Sequence, residues 1–325
     1  MKGIVQDRYG SPDVLQLRDL ADPVAGEDEV LVRVRAAGCG PDVWHLMTGL
    51  PYFVRLMPAF HKMRAGVRGR DVSGIVEASG SNVTGLRVGD EVMGIVEGSF
   101  AELAVGRPDK LVPKPTRLSF EQAAAVPISG LTALQAIRDV AKVQPGQKVL
   151  VIGAGGGVGT LTVQIAKAFG AEVTGVCSRW KADLVRSLGA EEVIDYTQEN
   201  LADGRRRWDV IVDTAGRRPV HVLRRVLTPR GTLAIVGGDG GGKVTGGFFR
   251  QILRAPVVSL LTRQRLLPVM AKENQKDLRT LAEMIDAGQV IPVVGKTFPL
   301  AEAGDAVREL ERGHAYGKLV VTVQG

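Results

Sequence analysis

The segment VLVIGAGGGVGTLTVQIAKAFGAEV, residues 149–173, places five glycines within seven residues, between an apolar run and a stretch with helical spacing. A strand, a glycine-rich turn and a helix can hold the pyrophosphate of a dinucleotide. Glycine lets the backbone approach the phosphates, and the helix N-terminus supplies N–H donors. The register that fits strand and helix is Ala154, Gly156 and Gly159, with Gly157 and Val158 inside the turn. Glycine-rich turns also serve tight packing alone, but the flanking elements favour dinucleotide binding here.

The end of the next predicted strand, EVTGVC, indicates which dinucleotide is favoured. An acid at this point would bond the ribose hydroxyls of NAD, but the sequence GVCSRWKADL has no acid before Asp183. Ser178, Arg179 and Lys181 stand where a 2′-phosphate would lie. Charge complementarity therefore favours NADP(H), the alternative being that these are ordinary polar residues at the start of a helix.

A parallel sheet is predicted to position these residues. Between residues 145 and 238 five short apolar segments alternate with turns and helical spacing: KVLVIG, EVTGVC, EVIDY, DVIVDTA and TLAIVGG. Near-continuous apolar strands that alternate with helices are typical of a sheet covered on both faces. This region is predicted to be an α/β, doubly wound domain of the Rossmann type.

The first 110 residues show a different pattern. EVLVRVRAAG, DVSGIVEASG and DEVMGIVEG alternate apolar and polar residues between turns, which indicates a mostly antiparallel, barrel-like lobe. After a segment read as a loop, residues 248–270, a helix (KDLRTLAEMIDAG) and strands (VIPVVGKTFPL, GKLVVTV) return to this lobe. The predicted division is 1–119 for the first part of the β lobe, 120–264 for the nucleotide-binding domain and 265–325 for the return.

Composition excludes several classes of protein. The 325 residues are 45% hydrophobic and 24% charged, as in a soluble globular protein. The N-terminus MKGIVQDRYG lacks the apolar region of a signal peptide, and no apolar run reaches membrane-spanning length, so we expect a cytoplasmic protein. Two distant cysteines, Cys39 and Cys177, exclude a disulfide framework. The net charge of +7 is unaccompanied by a nucleic-acid-binding pattern, and it favours small anionic ligands instead.

Motifs along nearly the whole chain resemble a known family. GRDVSGIVEASGSNVTGLRVGDEVMG, FEQAAAVPISGLTALQAI, VQPGQKVLVIGAGGGVGTLTVQIAKAFGAEV and the closing GKLVV are similar to the quinone oxidoreductase branch of the zinc-free medium-chain dehydrogenases/reductases. The resemblance implies a discontinuous GroES-like β-barrel lobe, a Rossmann lobe and a homodimer. It also implies that Ser178, Lys181 and Tyr196 lie at the adenosine or 2′-phosphate, and that Thr132 and Gly237 line the nicotinamide.

This chain lacks the pattern of zinc ligands that related dehydrogenases have. Their GHE motif reads GRD here, with Arg70 and Asp71, and a cation cannot replace a histidine ligand. Cys39 falls one position away from the usual cysteine. A cluster of Cys39, Asp42 and His45 is the alternative, but we predict that no metal is bound.

One motif departs from the family that the chain resembles. Close relatives have a stretch like NPADWH near the substrate, while this chain reads GPDVWH. Gly40 and Val43 replace its asparagine and aspartate, and Asp42 is a candidate to compensate. His45, Tyr52 and water are the candidate sources of a proton.

The predicted activity is hydride transfer from NADPH to a small electrophile, a quinone or an α,β-unsaturated carbonyl compound, because no metal is available to polarise an alcohol. Five aromatic residues are expected to shape the substrate pocket: Trp44, Tyr52, Phe53, Phe248 and Phe249. Two alternatives remain. One is an NADPH-binding sensor or structural protein that has lost catalysis, and the other is a zinc-dependent alcohol dehydrogenase.

Overall fold

The computed structural model describes residues 1–52, 55, 66–199, 201, 206–237, 251, 255, 259 and 262–323. The strands, in chain order, are β1 (Lys2–Gln6), β2 (Gln16–Asp19), β3 (Val30–Cys39), β4 (Gly66–Val67), β5 (Asp71–Ser79), β6 (Glu91–Ile95), β7 (Leu103–Gly106), β8 (Leu111–Pro113), β9 (Lys148–Ile152), β10 (Glu172–Cys177), β11 (Glu192–Asp195), β12 (Trp208–Asp213), β13 (Leu227–Ile235), β14 (Arg265–Pro268), β15 (Val294–Pro299) and β16 (Lys318–Thr322). The α-helices are α1 (Pro41–Thr48), α2 (Phe120–Ala124), α3 (Pro127–Gln135), α4 (Gly157–Ala168), α5 (Ala182–Ser187), α6 (Val220–Arg225), α7 (Gln275–Asp286) and α8 (Ala303–Arg312). The described helices include none with the length and apolar character that a membrane crossing requires.

Residues 132–272 and 289–291 form one compact unit. Its described strands form a six-stranded parallel sheet in the order β11-β10-β9-β12-β13-β14. In the central strand Val149, Leu150 and Val151 are all fully buried, because helices cover both faces of a parallel sheet. The doubly wound fold is confirmed, and the strand order reverses between β9 and β12, where such sheets bind ligands at their carboxyl ends.

Residues 1–131, 273–288 and 292–325 form the second unit. Its main sheet has the order β15-β16-β3-β5-β6-β8, and β7 also pairs with β3. All pairs are antiparallel except β15 with β16. The C-terminal strands join this sheet, as predicted, with Leu319 opposite Cys39. A core cluster that includes Val34, Val72 and Val321 lies beneath it.

The unit boundaries fall later in the chain than the sequence indicates. Residues 120–131 belong to the β-rich unit because Ala124 and Ala125 pack with Ala36 and Val320. Residues 265–268 form β14 of the parallel sheet rather than loop, since Leu266 is a core residue opposite Leu233. The prediction of a loop over residues 248–270 was therefore wrong at its C-terminal end.

Candidate functional site

The glycines of the turn after β9 have different structural roles. Gly153 has a φ of +82°, a conformation that favours glycine. A Cβ on Gly159 would lie 2.0 Å from the carbonyl oxygen of Gly153, so only glycine lets α4 pack this close to the strand. A Cβ on Gly156 would meet nothing nearer than that same oxygen, at 3.5 Å. The turn beside Gly156 is therefore open to an approaching group.

The start of α4 supplies hydrogen-bond donors to this open side. Gly156 is the N-cap of a twelve-residue helix, and Gly157 and Val158 are its first two residues. Backbone N–H groups in the first turn of a helix have no partner within the helix, and they lie at the positive end of its dipole. Ala154 is fully buried beneath the turn. This arrangement fits a pyrophosphate group.

Neighbouring strand ends meet beside the turn. The Thr214 hydroxyl donates to the carbonyl of Ile152 at 2.8 Å, and the Gly237 N–H donates to the carbonyl of Asp213 at 3.0 Å. A Cβ on Gly237 would lie 2.1 Å from the Thr214 carbonyl oxygen, so glycine permits this close approach. Thr132 lies half-buried on α3 in the same unit. Gly237 thus lies at the carboxyl edge of the sheet, where sheets of this kind commonly bind ligands.

A cavity of about 250 Å³ lies at the end of β10, beside Cys177. Its polar lining consists of Ser178, Arg179, Arg186, Asp195, Gln198 and Glu199. Two of the residues predicted for the 2′-phosphate, Ser178 and Arg179, are among them. The sequence did not predict Arg186, Asp195 or Gln198 as lining residues. Arg186 lies on α5, and the other two lie at and after the end of β11, outside the motif itself.

The carboxylates of this cavity are partly satisfied, and Asp195 Oδ2 is buried without a hydrogen-bond partner. Glu199 pairs with Arg206 at 2.9 Å, and one Asp195 oxygen accepts from the Thr197 N–H at 3.0 Å and hydroxyl at 2.8 Å. Arg186 pairs with Asp183 at 2.9 Å on the surface of α5. The exposed guanidinium of Arg179 forms no ion pair within the described part of the chain. Arg179 is therefore the cation of this cavity that is most accessible to an anionic ligand.

The structure places Lys181 and Tyr196 outside the lining of this cavity. The Lys181 stem lies against the glycine-rich turn, where a Cβ on Gly155 would meet its Cδ at 2.6 Å. Its ammonium lies 4.7 Å from the centre of the Trp180 ring, and burial lowers the pKa of the amine. Tyr196 follows β11 and is half exposed. Lys181 thus faces the pyrophosphate turn more than the predicted phosphate cavity.

In the β-rich unit, Gly40 lies beside two charged side chains. A Cβ on Gly40 would lie 2.7 Å from an Asp42 carboxylate oxygen and 2.9 Å from the Lys318 ammonium. Both atoms are the ends of flexible side chains, so a larger residue at this position requires that the carboxylate and the ammonium shift. Val43 is fully buried in the core cluster, so its position serves packing. Asp42 is the acid of this motif that faces a charged neighbour.

Lys318 and Asp71 form a buried ion pair. Their side chains are 5% and 1% exposed, and Nζ lies 2.7 Å from Oδ2. The ammonium also donates to the Ser129 hydroxyl at 3.2 Å, and Asp71 accepts from the Ile128 N–H at 2.8 Å. Burial alone lowers the pKa of Lys318, but Asp71 and Asp42 outweigh it and raise the pKa above its usual value. Lys318 therefore stays charged inside the unit.

The remaining catalytic candidates lie on or after α1. His45 Nδ1 is 2.6 Å from the carbonyl oxygen of Leu50, which can only accept, so this nitrogen carries a proton. Trp44 packs edge-on against His45, and its Nε1 donates to Glu311 of α8 at 2.8 Å. Tyr52 is 46% exposed, with the Arg55 guanidinium 4.7 Å from its ring centre. Phe53, Phe248 and Phe249 lie outside the described residues.

Comparison with known proteins agrees with both units. Residues 26–116 match the alcohol dehydrogenase GroES-like domain, and residues 188–321 match a zinc-binding dehydrogenase domain. A quinone oxidoreductase of Pseudomonas aeruginosa is 35% identical over 96% of this chain and 97% of its own length. A 2-methylene-furan-3-one reductase of Solanum lycopersicum is 33% identical over 99% of this chain and 79% of its own. The solved quinone oxidoreductase of Coxiella burnetii superposes with a TM-score of 0.87, at 30% identity, over 100% of this chain and 99% of that one.

The chain belongs to the quinone oxidoreductase family of medium-chain dehydrogenases/reductases. Like its relatives in that family, it is an NAD(P)H oxidoreductase. The residues present fit such a cofactor, because the open side of Gly156, the α4 N-terminus and the cavity at Arg179 lie along the carboxyl edge of one sheet.

A catalytic zinc does not fit the residues of this quinone oxidoreductase. At the histidine position Arg70 instead pairs with Glu97 at 3.0 Å and with Glu273 at 2.8 Å. Burial raises the pKa of the Cys39 thiol to about 12, so a metal at this position would have to displace its proton. No group of three or more histidines, cysteines or acids is arranged for a metal within the described residues.

Proposed function

We propose that this protein reduces quinones or α,β-unsaturated carbonyl compounds with NADPH, and that it does so without zinc. The observation that carries the proposal is the set of charges at the family's metal position, where Arg70 is held by two glutamates and Asp71 by Lys318. An acceptor that takes hydride without a Lewis acid suits such a site. The names of the two relatives, a quinone oxidoreductase and a furanone reductase, support the same substrate class.

The residues of each unit have separate tasks in this proposal. The turn at Gly156 and the N-terminus of α4 hold the pyrophosphate, while Arg179 and Arg186 bind the 2′-phosphate. Bound NADPH supplies the hydride. In a neutral His45 the protonated Nδ1 faces Leu50, so Nε2 has no proton to give. The half-exposed Tyr52 hydroxyl and water are the remaining proton sources.

We expect NADPH to be consumed with 1,4-benzoquinone and with 2-hexenal, and we expect no comparable oxidation of ethanol or benzyl alcohol with NADP⁺. The measurement is the absorbance of NADPH under steady-state conditions. Gly156→Ala is the matched control, because its Cβ would enter the open side of the turn with no atom of the described fold nearer than 3.5 Å. Alcohol oxidation without any quinone or enone turnover would contradict the proposal, and so would equal activity of the control.

We also expect the purified protein to contain well under one zinc per chain, and to keep its activity after dialysis against a chelator. The physical reason is the ligand set, since the paired Arg70 stands at the histidine position and Cys39 lies one position away from the usual cysteine. Elemental analysis and an activity assay before and after chelation check this. One zinc per chain, with activity lost on its removal, would refute it.

Homodimeric assembly and a cytoplasmic location stay predictions. The first comes from the family resemblance, and it agrees with the position of β14 as an edge strand of the described parallel sheet.

A further inference from the structure

A second, larger cavity lies in the nucleotide-binding unit, near the start of β13 and of β14. Its volume is about 530 Å³, within the range of small-molecule sites. We call it the basic cavity; its lining includes His221, Arg224, Arg225, Thr262, Arg263 and Gln264. Among the described residues, the lining contains no acid. The redox reaction proposed above uses none of them.

The surrounding sequence concentrates the positive charge of the whole chain. Between Asp213 and Glu273 there are eleven lysines and arginines and a single acid, Asp239. The net charge of this stretch exceeds the +7 of the full protein, so the remainder of the chain is slightly acidic. Arg224, Arg225 and Arg263 of the cavity lining belong to this basic stretch, and clustered positive charges attract anions.

A neutral side chain orients one of the arginines of the cavity. Gln264 Oε1 accepts from Arg224 Nε at 3.0 Å, while its Nε2 donates to the carbonyls of Arg224 at 3.0 Å and Thr228 at 3.2 Å. Arg224 is thereby held by a neutral partner, and no described carboxylate forms an ion pair with it. Arg225 and Arg263 are exposed, and neither forms an ion pair with any described residue. The arginines are thus available to an external anion.

The basic cavity lies at the opposite edge of the sheet from the cofactor-binding turn. Its residues precede the paired segments of β13 and β14, whereas the turn at Gly153 and the end at Gly237 follow their strands. Five or six strand residues separate the two edges, a distance of roughly 15–20 Å. A ligand in the basic cavity would therefore leave the cofactor site accessible.

We propose that the basic cavity binds the phosphate group of a second, anionic ligand, independently of the redox reaction. Guanidinium groups recognise phosphate oxygens through paired, charge-assisted hydrogen bonds, and three arginines without an acid suit a multiply charged phosphate or pyrophosphate. The same chemistry is offered by a soluble phosphorylated metabolite and by the headgroup of an anionic lipid.

The test uses protein saturated with NADPH, so that the cofactor site is already filled. Inorganic pyrophosphate is titrated by calorimetry, and co-sedimentation compares phosphatidylglycerol vesicles with phosphatidylcholine vesicles. The variant Arg225→Gln/Arg263→Gln removes two cations from the lining. The control Arg230→Gln/Arg265→Gln removes the same charge from exposed arginines outside it.

We expect the lining variant to weaken binding by about tenfold or more for each arginine removed, and the control to weaken it by much less. Its affinity for NADPH should equal that of the wild type. Binding of pyrophosphate identifies a soluble ligand, and binding only to the anionic vesicles identifies a headgroup. The proposal fails if neither probe binds at millimolar concentration, or if the control loses as much affinity as the lining variant.

Discussion

Replacing Lys318 with methionine is expected to lower the free energy of unfolding by about 3–5 kcal/mol, because it leaves the buried carboxylate of Asp71 without its counter-ion. The ammonium also lies beside Asp42 and Ser129, so its removal leaves two acids facing each other. Urea unfolding followed by circular dichroism measures the change. The reduction should be large enough to be visible as an earlier midpoint with an unchanged slope.

Two further variants test whether the lost stability comes from the buried ion pair or would follow any loss of a lysine in this unit. Lys318→Met/Asp71→Asn removes both charges, keeps an acceptor for the Ile128 N–H, and should regain part of the lost stability. Lys110→Met breaks the partly exposed pair with Glu273 and should cost about 1 kcal/mol or less. If Lys318→Met lowers the free energy of unfolding by no more than Lys110→Met does, the buried ion pair does not stabilise the unit more than a partly exposed one.

The choice of cofactor is expected to depend on the two arginines of the cavity at the end of β10. Arg179→Gln and Arg186→Gln should each weaken NADPH binding by about tenfold and leave NADH binding nearly unchanged, because only NADPH has a 2′-phosphate for these guanidinium groups to bind. Both side chains are exposed in the free protein, so neither substitution should disturb the fold. Fluorescence titration of each variant with both cofactors gives the dissociation constants.

Lys181→Gln is the informative comparison for that result. Because the Lys181 stem lies against Gly155 of the pyrophosphate turn, we expect it to affect NADPH and NADH to a similar degree. The sequence alone favoured Lys181 as a source of NADPH preference. If Lys181→Gln weakens only the binding of NADPH, and the two arginine variants bind NADPH like the wild type, then Lys181 determines the preference for NADPH.

The nucleotide-binding unit was largely predictable because its strands are nearly continuous apolar runs. Four of the five predicted strands end within one or two residues of the observed ones, since each is followed by a glycine or a polar residue that stops it. The roles of Gly156 and Gly159 also follow from spacing. The side of the turn that Lys181 takes does not, because it depends on contact between residues on separate elements.

In the β-rich unit the sequence located the unusual residues but did not explain them. Gly40 stands out against the family motif, but the motif does not reveal its neighbour Lys318, which β16 brings beside it from the far end of the chain. The helix α8 was missed, although its amphipathic spacing buries Ala303, Ala306 and Val307. Short helices between strands are easily read as loops when a β pattern dominates on both sides.

The most direct test of the account is the fate of the hydrogen at C4 of NADPH. The assay uses 2-hexenal as acceptor and chelator-treated protein. Two samples of NADPH are compared, each deuterated at a different one of the two C4 positions. Mass spectrometry should find one carbon-bound deuterium in the reduced product from one of the two samples. This outcome would establish metal-independent hydride transfer to an electron-poor carbon. Product without deuterium from either label, or product formed only after zinc is added, would contradict the proposed function.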